Sequence, residues 1–350
     1  MKLKQSDLDR LIRPNVANLK PYSSARDEYK DVDGEMIFLD ANENPFENGV
    51  NRYPDPQQRD VKALLAAQKG INTSQLLLGN GSDEVLDLLF RAFCEPNKDN
   101  IITLPPTYGM YNVLAGINAI ENREILLNEN FEPNVTEILK IQDNASKILF
   151  ICSPNNPTGN SFSIEVIVQL LTSFNGIVVI DEAYIDFSEN ESWISKLSEY
   201  PNLVVTQTLS KAYGLAGIRL GICYASPSII EVLNKIKPPY NVNELTQQRA
   251  FERLVNIEDV MDEVEEIMEQ KEILIDALEK ISFIKKVYAS DANFLLLKVD
   301  DATIRYNQLI EKGIVVRNRS TQPLCENTLR ITVGKIDENK QLIQILNTLN

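Results

Sequence analysis

Short apolar runs alternate with amphipathic stretches along most of the chain, and the alternation predicts the architecture. Residues 82–93 place Leu86, Leu89 and Phe90 on one helical face, with Ser82 positioned as N-cap. Residues 100–104 read as a strand and 108–118 as a helix. Residues 147–152 (KILFIC) and 177–181 (IVVID) are nearly continuous apolar runs ending in polar residues, and 203–207 and 218–224 are similar. Strands buried on both faces and alternating with helices predict an α/β fold: a mostly parallel central sheet covered by helices. The texture changes after Pro238-Pro239. Residues 243–280 contain no Pro or Gly and set Val255, Val260, Val264, Ile267, Ile273, Leu274 and Leu278 at helical spacing, so one long charged helix is expected. Strand candidates follow at 293–299, 313–317 and 328–333. The expected organisation is a polar arm over 1–40 with no core of its own, a large domain over 41–242, and a smaller α/β domain over 243–350 that begins with the long helix.

A length of 350 residues suits one large domain with a smaller companion. Hydrophobic residues at 43% and charged residues at 24% are the balance of a soluble globular chain. No apolar run approaches a membrane span, and residues 1–13 carry charge throughout, so neither a membrane segment nor a secretory signal is expected and the chain reads as cytoplasmic. A net charge of −15 repels nucleic acid and anionic membranes, so neither is an expected partner and any anionic ligand must be met by local cations. Cys94, Cys152, Cys223 and Cys325 form no CxxC pair and read as buried free thiols. Histidine is absent, which removes Ser-His-Asp and Cys-His triads and His-containing metal sites. No metal is expected, and the chemistry falls to Lys, Asp, Tyr or a cofactor.

Four segments could supply it. In 206–221 (TQTLSKAYGLAGIRLG), Ser210 and Lys211 follow a strand and Arg219 comes eight residues later. An isolated Ser-Lys pair is ordinarily surface loop, but ligands of open α/β sheets bind beyond the strands' carboxyl ends. In 147–159 (KILFICSPNNPTG), a buried strand runs into a Pro- and Gly-fixed turn that can present the Asn156 amide, or can be a turn and nothing more. In 177–184 (IVVIDEAY), Asp181 ends a run that should be deeply buried; an unpaired buried carboxylate is costly, so it needs a cation from elsewhere in the chain or from a ligand. In 78–84 (LGNGSDE), two glycines precede Ser82 and Asp83 at a helix start, where backbone N–H groups bind phosphate or where the sequence is a plain cap.

In combination these segments resemble the aspartate-aminotransferase fold family of pyridoxal-phosphate enzymes, fold type I. Residues 18–26 (NLKPYSSAR), 39–45 (LDANENP), 52–55 (RYPD), 105–111 (PPTYGMY) and 329–334 (LRITVG) look like the histidinol-phosphate aminotransferases within it. The resemblance implies pyridoxal 5′-phosphate as cofactor, joined to Lys211 as a Schiff base. It also implies Asp181 against the ring nitrogen, Asn156 and Tyr184 on the ring's 3-oxygen, and Tyr108 stacked on the ring. The cofactor phosphate is matched to the Ser82 and Asp83 backbone, Ser210 and Arg219, with Tyr53 reaching it from the other subunit of a homodimer.

On the substrate side the resemblance implies histidinol phosphate and imidazole-acetol phosphate, exchanged against glutamate and 2-oxoglutarate. Arg330 matches the clamp for the α-substituent, and Tyr22 and Arg317 match groups that recognise phosphate. Arg317 and Arg319 both flank a strand, where solvated side chains are the plain alternative. Two other activities on this fold share every cofactor ligand: an aromatic amino-acid transaminase, and a lyase acting on an amino-alkyl phosphate. A cofactor-binding regulator is disfavoured because only about forty residues precede LDANENP, and a nicotinamide enzyme because no GxGxxG follows the first strand.

Overall fold

The computed structural model describes residues 8–21 and 37–349. The larger sheet has seven strands: β1 (Leu76–Asn80), β2 (Asn100–Thr103), β3 (Glu121–Glu124), β4 (Ser146–Cys152), β5 (Ile177–Asp181), β6 (Leu203–Thr208) and β7 (Leu220–Ala225), in the order β1-β7-β6-β5-β4-β2-β3. Strands β3, β2, β4, β5 and β6 are parallel, and β7 is antiparallel to both its neighbours. The apolar runs exist because both faces of the sheet are covered. In β5, Val178 and Ile180 pack into one core while Ile177 and Val179 pack into the other, the two-residue period of a strand. A second sheet, β8 (Ile284–Val287), β9 (Phe294–Val299), β10 (Arg317–Asn318) and β11 (Thr328–Thr332), is antiparallel throughout, in the order β10-β11-β9-β8.

Three expectations need correction. Ser82 is the first residue of the helix Ser82–Phe93 and not its cap; Gly81, at φ 80°, makes the non-helical turn. Residues 243–280 form two helices, Glu244–Val255 and Ile257–Leu278. The break falls at Asn256, whose side-chain amide donates to the Glu252 carbonyl at 2.8 Å, a local bond that competes with helix continuation. Of the strand candidate at 313–317 only Arg317 pairs as strand, in the two-residue strand Arg317–Asn318. Upstream of it, Gly313 at φ 81° and the Ile314 N–H, which donates to the Leu309 carbonyl at 2.9 Å, are spent on leaving the helix Ala302–Glu311. The described part of the arm packs onto the larger sheet's core. Leu8, Leu11 and Val16 are buried in the cluster that holds the helix Ser82–Phe93, and the Arg13 N–H donates to the Ala92 carbonyl at 3.0 Å.

Ala250, Leu254 and Val260 belong to the core of the larger sheet; the small sheet's own core begins at Leu274, while Ala292, Phe294, Leu296 and Cys325 pack into the larger core. All four cysteines are free and buried. Among the described residues no helix is long and apolar enough to cross a membrane.

Candidate active site

Strands β4, β5 and β6 are parallel neighbours, so their carboxyl ends open onto one crevice. Asp181 is the last residue of β5, the loop carrying Asn156 leaves β4, and Ser210 and Lys211 follow β6. One cavity there is lined by Ser82, Asp83, Tyr108, Asn156, Asp181 and Tyr184, together with Ser210, Lys211 and Arg219. Cys152, Ala183 and Thr208 also line it and were not expected; Cys152 and Thr208 end strands β4 and β6, and Ala183 lies between Asp181 and Tyr184, which is the only mark the sequence gives them.

Asp181 is 3% exposed. Its Oδ2 accepts a hydrogen bond from Tyr111 Oη at 2.7 Å, and its Oδ1 accepts from the Ala183 N–H at 3.3 Å. Burial pushes its pKa up, and these donors, with Thr206, pull it back. Among the described residues no cation pairs with it. The Lys211 amine lies 5.5 Å from the centroid of the Tyr184 ring. Burial of the amine lowers its pKa; the like charges of Arg330 and Arg219 add to that, while Asp181 and Asp83 oppose it. Burial also raises the Tyr184 phenol.

The other side of the cavity is built for an anion. Gly221 of β7 runs so close to the helix start that a Cβ there would sit 2.2 Å from the Ser82 nitrogen. A Cβ on Gly81 would meet the Arg219 guanidinium at 2.7 Å. Arg219 is itself at φ 58°, and its Nη2 lies 3.6 Å from Asp83 Oδ2. Thr208 Oγ1 donates to Ser210 Oγ at 3.0 Å and accepts from the Ser210 N–H at 3.2 Å, which fixes that hydroxyl. Unpaired first-turn N–H groups, a hydroxyl and a guanidinium together suit a phosphate. Tyr108 donates from Oη to Asp83 Oδ1 at 3.1 Å.

Arg330, on β11, crosses from the small sheet and donates from Nη1 to Asn156 Oδ1. It lies 5.1 Å from the Phe294 ring centroid. Arg317 faces Arg330 in the β10–β11 register; neither arginine lines the cavity, but Arg330 bonds to the lining residue Asn156 while Arg317 is exposed. Arg319, two residues on and so on the same face, is the more buried of the two, with Nε buried and without a hydrogen bond. Tyr53 is 52% exposed, stacked on Tyr240 at 4.6 Å, and lines a separate groove. Tyr22 lies outside the described residues.

Residues 35–346 match the family described as aminotransferase class I and II. The chain belongs to that family. The histidinol-phosphate aminotransferase of Flavobacterium johnsoniae is 68% identical over 345 residues, covering 98% of this chain and 99% of that one. Among solved structures, histidinol-phosphate aminotransferase from Clostridium acetobutylicum is similar at a TM-score of 0.79 and 23% identity, over 86% of this chain and 91% of that one. The enzyme from Sinorhizobium meliloti, solved in complex with pyridoxal-5′-phosphate, is similar at a TM-score of 0.78 and 21% identity, over 85% and 84%. The fold is fold type I of the pyridoxal-phosphate enzymes, as the sequence motifs implied.

Proposed function

We propose that the protein is a pyridoxal-5′-phosphate-dependent transaminase of histidine biosynthesis, which interconverts imidazole-acetol phosphate plus glutamate with histidinol phosphate plus 2-oxoglutarate. The observation that carries this reading is one cavity in which a lysine amine, a buried carboxylate and an anion-binding wall meet, in a chain 68% identical over nearly its whole length to a histidinol-phosphate aminotransferase.

The cofactor fits each part of the cavity. Its ring nitrogen is the cation that buried Asp181 otherwise lacks. Its phosphate suits the Ser82 and Asp83 backbone, Ser210 and Arg219, and its 3-oxygen suits Asn156 and Tyr184. Tyr108 offers a ring face. When bound, the cofactor supplies an electron sink for the charge left when a proton leaves the substrate's α-carbon. Asp181 keeps the proton on the ring nitrogen. Lys211 is the point of covalent attachment, and its released Nζ is the base for the α-proton; its lowered pKa raises the fraction of free amine near neutral pH. Arg330 binds the glutamate carboxylate and the substrate phosphate, with Arg317 and Tyr22 adding contacts to the phosphate. The enzyme works as a homodimer with shared active sites, Tyr53 serving the other subunit's cofactor phosphate; the support is that Tyr53 is half exposed and outside its own chain's cavity. Four free thiols suit a reducing cytoplasm.

Single-turnover mixing of the purified holoenzyme with each substrate tests the reading. Histidinol phosphate and glutamate should each consume the cofactor's visible absorbance, and histidinol phosphate should exceed tyrosine and phenylalanine in kcat/KM by about 10²-fold or more, because a buried cationic site is left unpaired by a substrate without phosphate. Equal turnover of tyrosine points instead to a broad aromatic transaminase. Release of inorganic phosphate or carbon dioxide points to a lyase.

A further inference from the structure

We propose that Tyr111 is a positioning residue for the reaction: its hydroxyl fixes the orientation of the Asp181 carboxylate and keeps it an ion beside the cofactor ring. The inference rests on the reading of Asp181 given above and extends it to a residue outside the cavity lining.

Tyr111 lies in the helix Met110–Ile117 and is completely buried. Its ring is held from two sides. It stacks on Phe150 of β4 at 4.7 Å with an interplanar angle of 12°, and Phe150 in turn stacks on Phe90 at 5.4 Å. It also meets the edge of Tyr108 at 5.6 Å and 86°. The ring therefore has one position, and its hydroxyl is delivered to Asp181 Oδ2 at 2.7 Å. The Ala183 N–H reaches the other oxygen at 3.3 Å and the Thr206 hydroxyl also supports the carboxylate, so at 2.7 Å the Tyr111 contact is shorter than the Ala183 one. A clamped aromatic that donates one well-made hydrogen bond to a carboxylate sets where that carboxylate points.

The same bond acts on charge. A phenol O–H donated to a carboxylate stabilises the ionised form and so weakens its pull on a neighbouring proton. Burial holds the Tyr111 phenol well above its ordinary pKa, so it remains a donor throughout the working range. Asp83, Cys152, Tyr108, Tyr184 and Lys211 also face Asp181 electrostatically, but none donates a hydrogen bond to it. Without the Tyr111 hydroxyl, the proton shared between Asp181 and the ring nitrogen moves toward Asp181, and the ring loses positive charge.

The test is a pH titration of the holoenzyme's visible absorbance, which reports the proton on the nitrogen that Lys211 contributes. A less cationic ring repels that proton less, so the midpoint in Tyr111→Phe should rise by about one pH unit, a tenfold change and the order expected for one hydrogen bond to a charged group. A ring-15N-labelled cofactor should show reduced ring protonation at fixed pH, and kcat should fall about tenfold with little change in KM. Asp181→Asn should shift the midpoint as well, and adding Tyr111→Phe to it should move nothing further. An unmoved midpoint in Tyr111→Phe, with a moved one in Asp181→Asn, overturns the proposal and leaves the Asp181 reading standing. An unmoved midpoint in Asp181→Asn overturns the reading beneath it. Equal shifts on both backgrounds also overturn the proposal, since Tyr111 would then act by a route other than Asp181.

Discussion

In the proposed mechanism Lys211 and Asp181 divide one task between them: the amine handles the proton on the substrate, and the carboxylate handles the proton on the ring. Lys211→Ala removes both the covalent attachment and the base in one substitution. The folded protein should keep its stability while turnover falls by about a thousandfold or more, the upper part of the range for losing a positioned acid or base; substantial residual turnover in a steady-state assay would take Lys211 out of the mechanism. Asp181→Asn keeps the shape and removes the charge, so kcat should drop about a hundredfold or more, as for the loss of a preorganised electrostatic partner. Near-normal rates in that variant would dissolve the ring-nitrogen assignment. Both residues were legible in the sequence because each ends or follows an apolar run, where a charge is conspicuous. Tyr111 was legible only as part of a motif: a tyrosine inside a helix carries no sign that its hydroxyl meets a carboxylate seventy residues away. Arg319 was passed over for the opposite reason, since a strand-flanking arginine reads as solvated until the fold buries its Nε.

The elements bring these side chains together through close backbone approaches that side-chain chemistry does not announce. Strand β7 carries no functional side chain of its own in the cavity, yet Gly221 lets it run against the N-terminus of the helix Ser82–Phe93. A Cβ at Gly221 would lie 2.2 Å from the Ser82 nitrogen and 2.3 Å from the Gly81 carbonyl carbon, both backbone atoms that cannot swing away. Gly221→Ala should therefore destabilise the fold by about 1–3 kcal/mol, the usual range for overpacking. It should also push the helix start from its place and weaken cofactor retention. Thermal melts of apo and holo protein, with a cofactor titration, check both; unchanged affinity would mean that the helix start does not hold the phosphate. At this scale the buried strands were the easiest to read, because a run such as 177–181 has one structural use. The break at Asn256 and the short β10 were harder. Both depend on single hydrogen bonds near helix ends, which leave the apolar spacing of the sequence undisturbed.

At the scale of the whole molecule, the proposed homodimer makes each active site depend on a second copy. Tyr53→Phe should weaken cofactor retention without dissociating the dimer, since one hydroxyl is lost and the ring stacked on Tyr240 stays; a fully active monomer in sedimentation at assay concentration would end the shared-site proposal. In the proposed function specificity is set across the two sheets. Arg330 comes from the small sheet and is tied to Asn156 beside the larger one, so the proposed substrate clamp and the proposed cofactor pocket share a hydrogen bond. Arg330→Ala should therefore damage both half-reactions: it removes the partner of the glutamate carboxylate and of the substrate phosphate, and it frees the Asn156 amide. Charge-assisted bonds to arginine are worth about 1.5–3 kcal/mol, so each half-reaction should lose about 10- to 150-fold in kcat/KM. Arg317 stands opposite Arg330 in register, and neither lines the cavity; Arg330 is tied to Asn156 at its wall, whereas Arg317 is exposed and suits a group that projects outward. A tetrahedral phosphate dianion offers more oxygens in that direction than a planar carboxylate does. Arg317→Ala should accordingly cost the histidinol-phosphate half-reaction several-fold to tenfold or more and leave the glutamate half-reaction nearly intact, the lower part of the range because the side chain is exposed. Because the two half-reactions of ping-pong chemistry can be run separately, single-turnover measurements on each resolve the difference. Equal losses with both substrates in the Arg317 variant would make it part of a general clamp, and would shift the assignment toward a broad amino-acid transaminase.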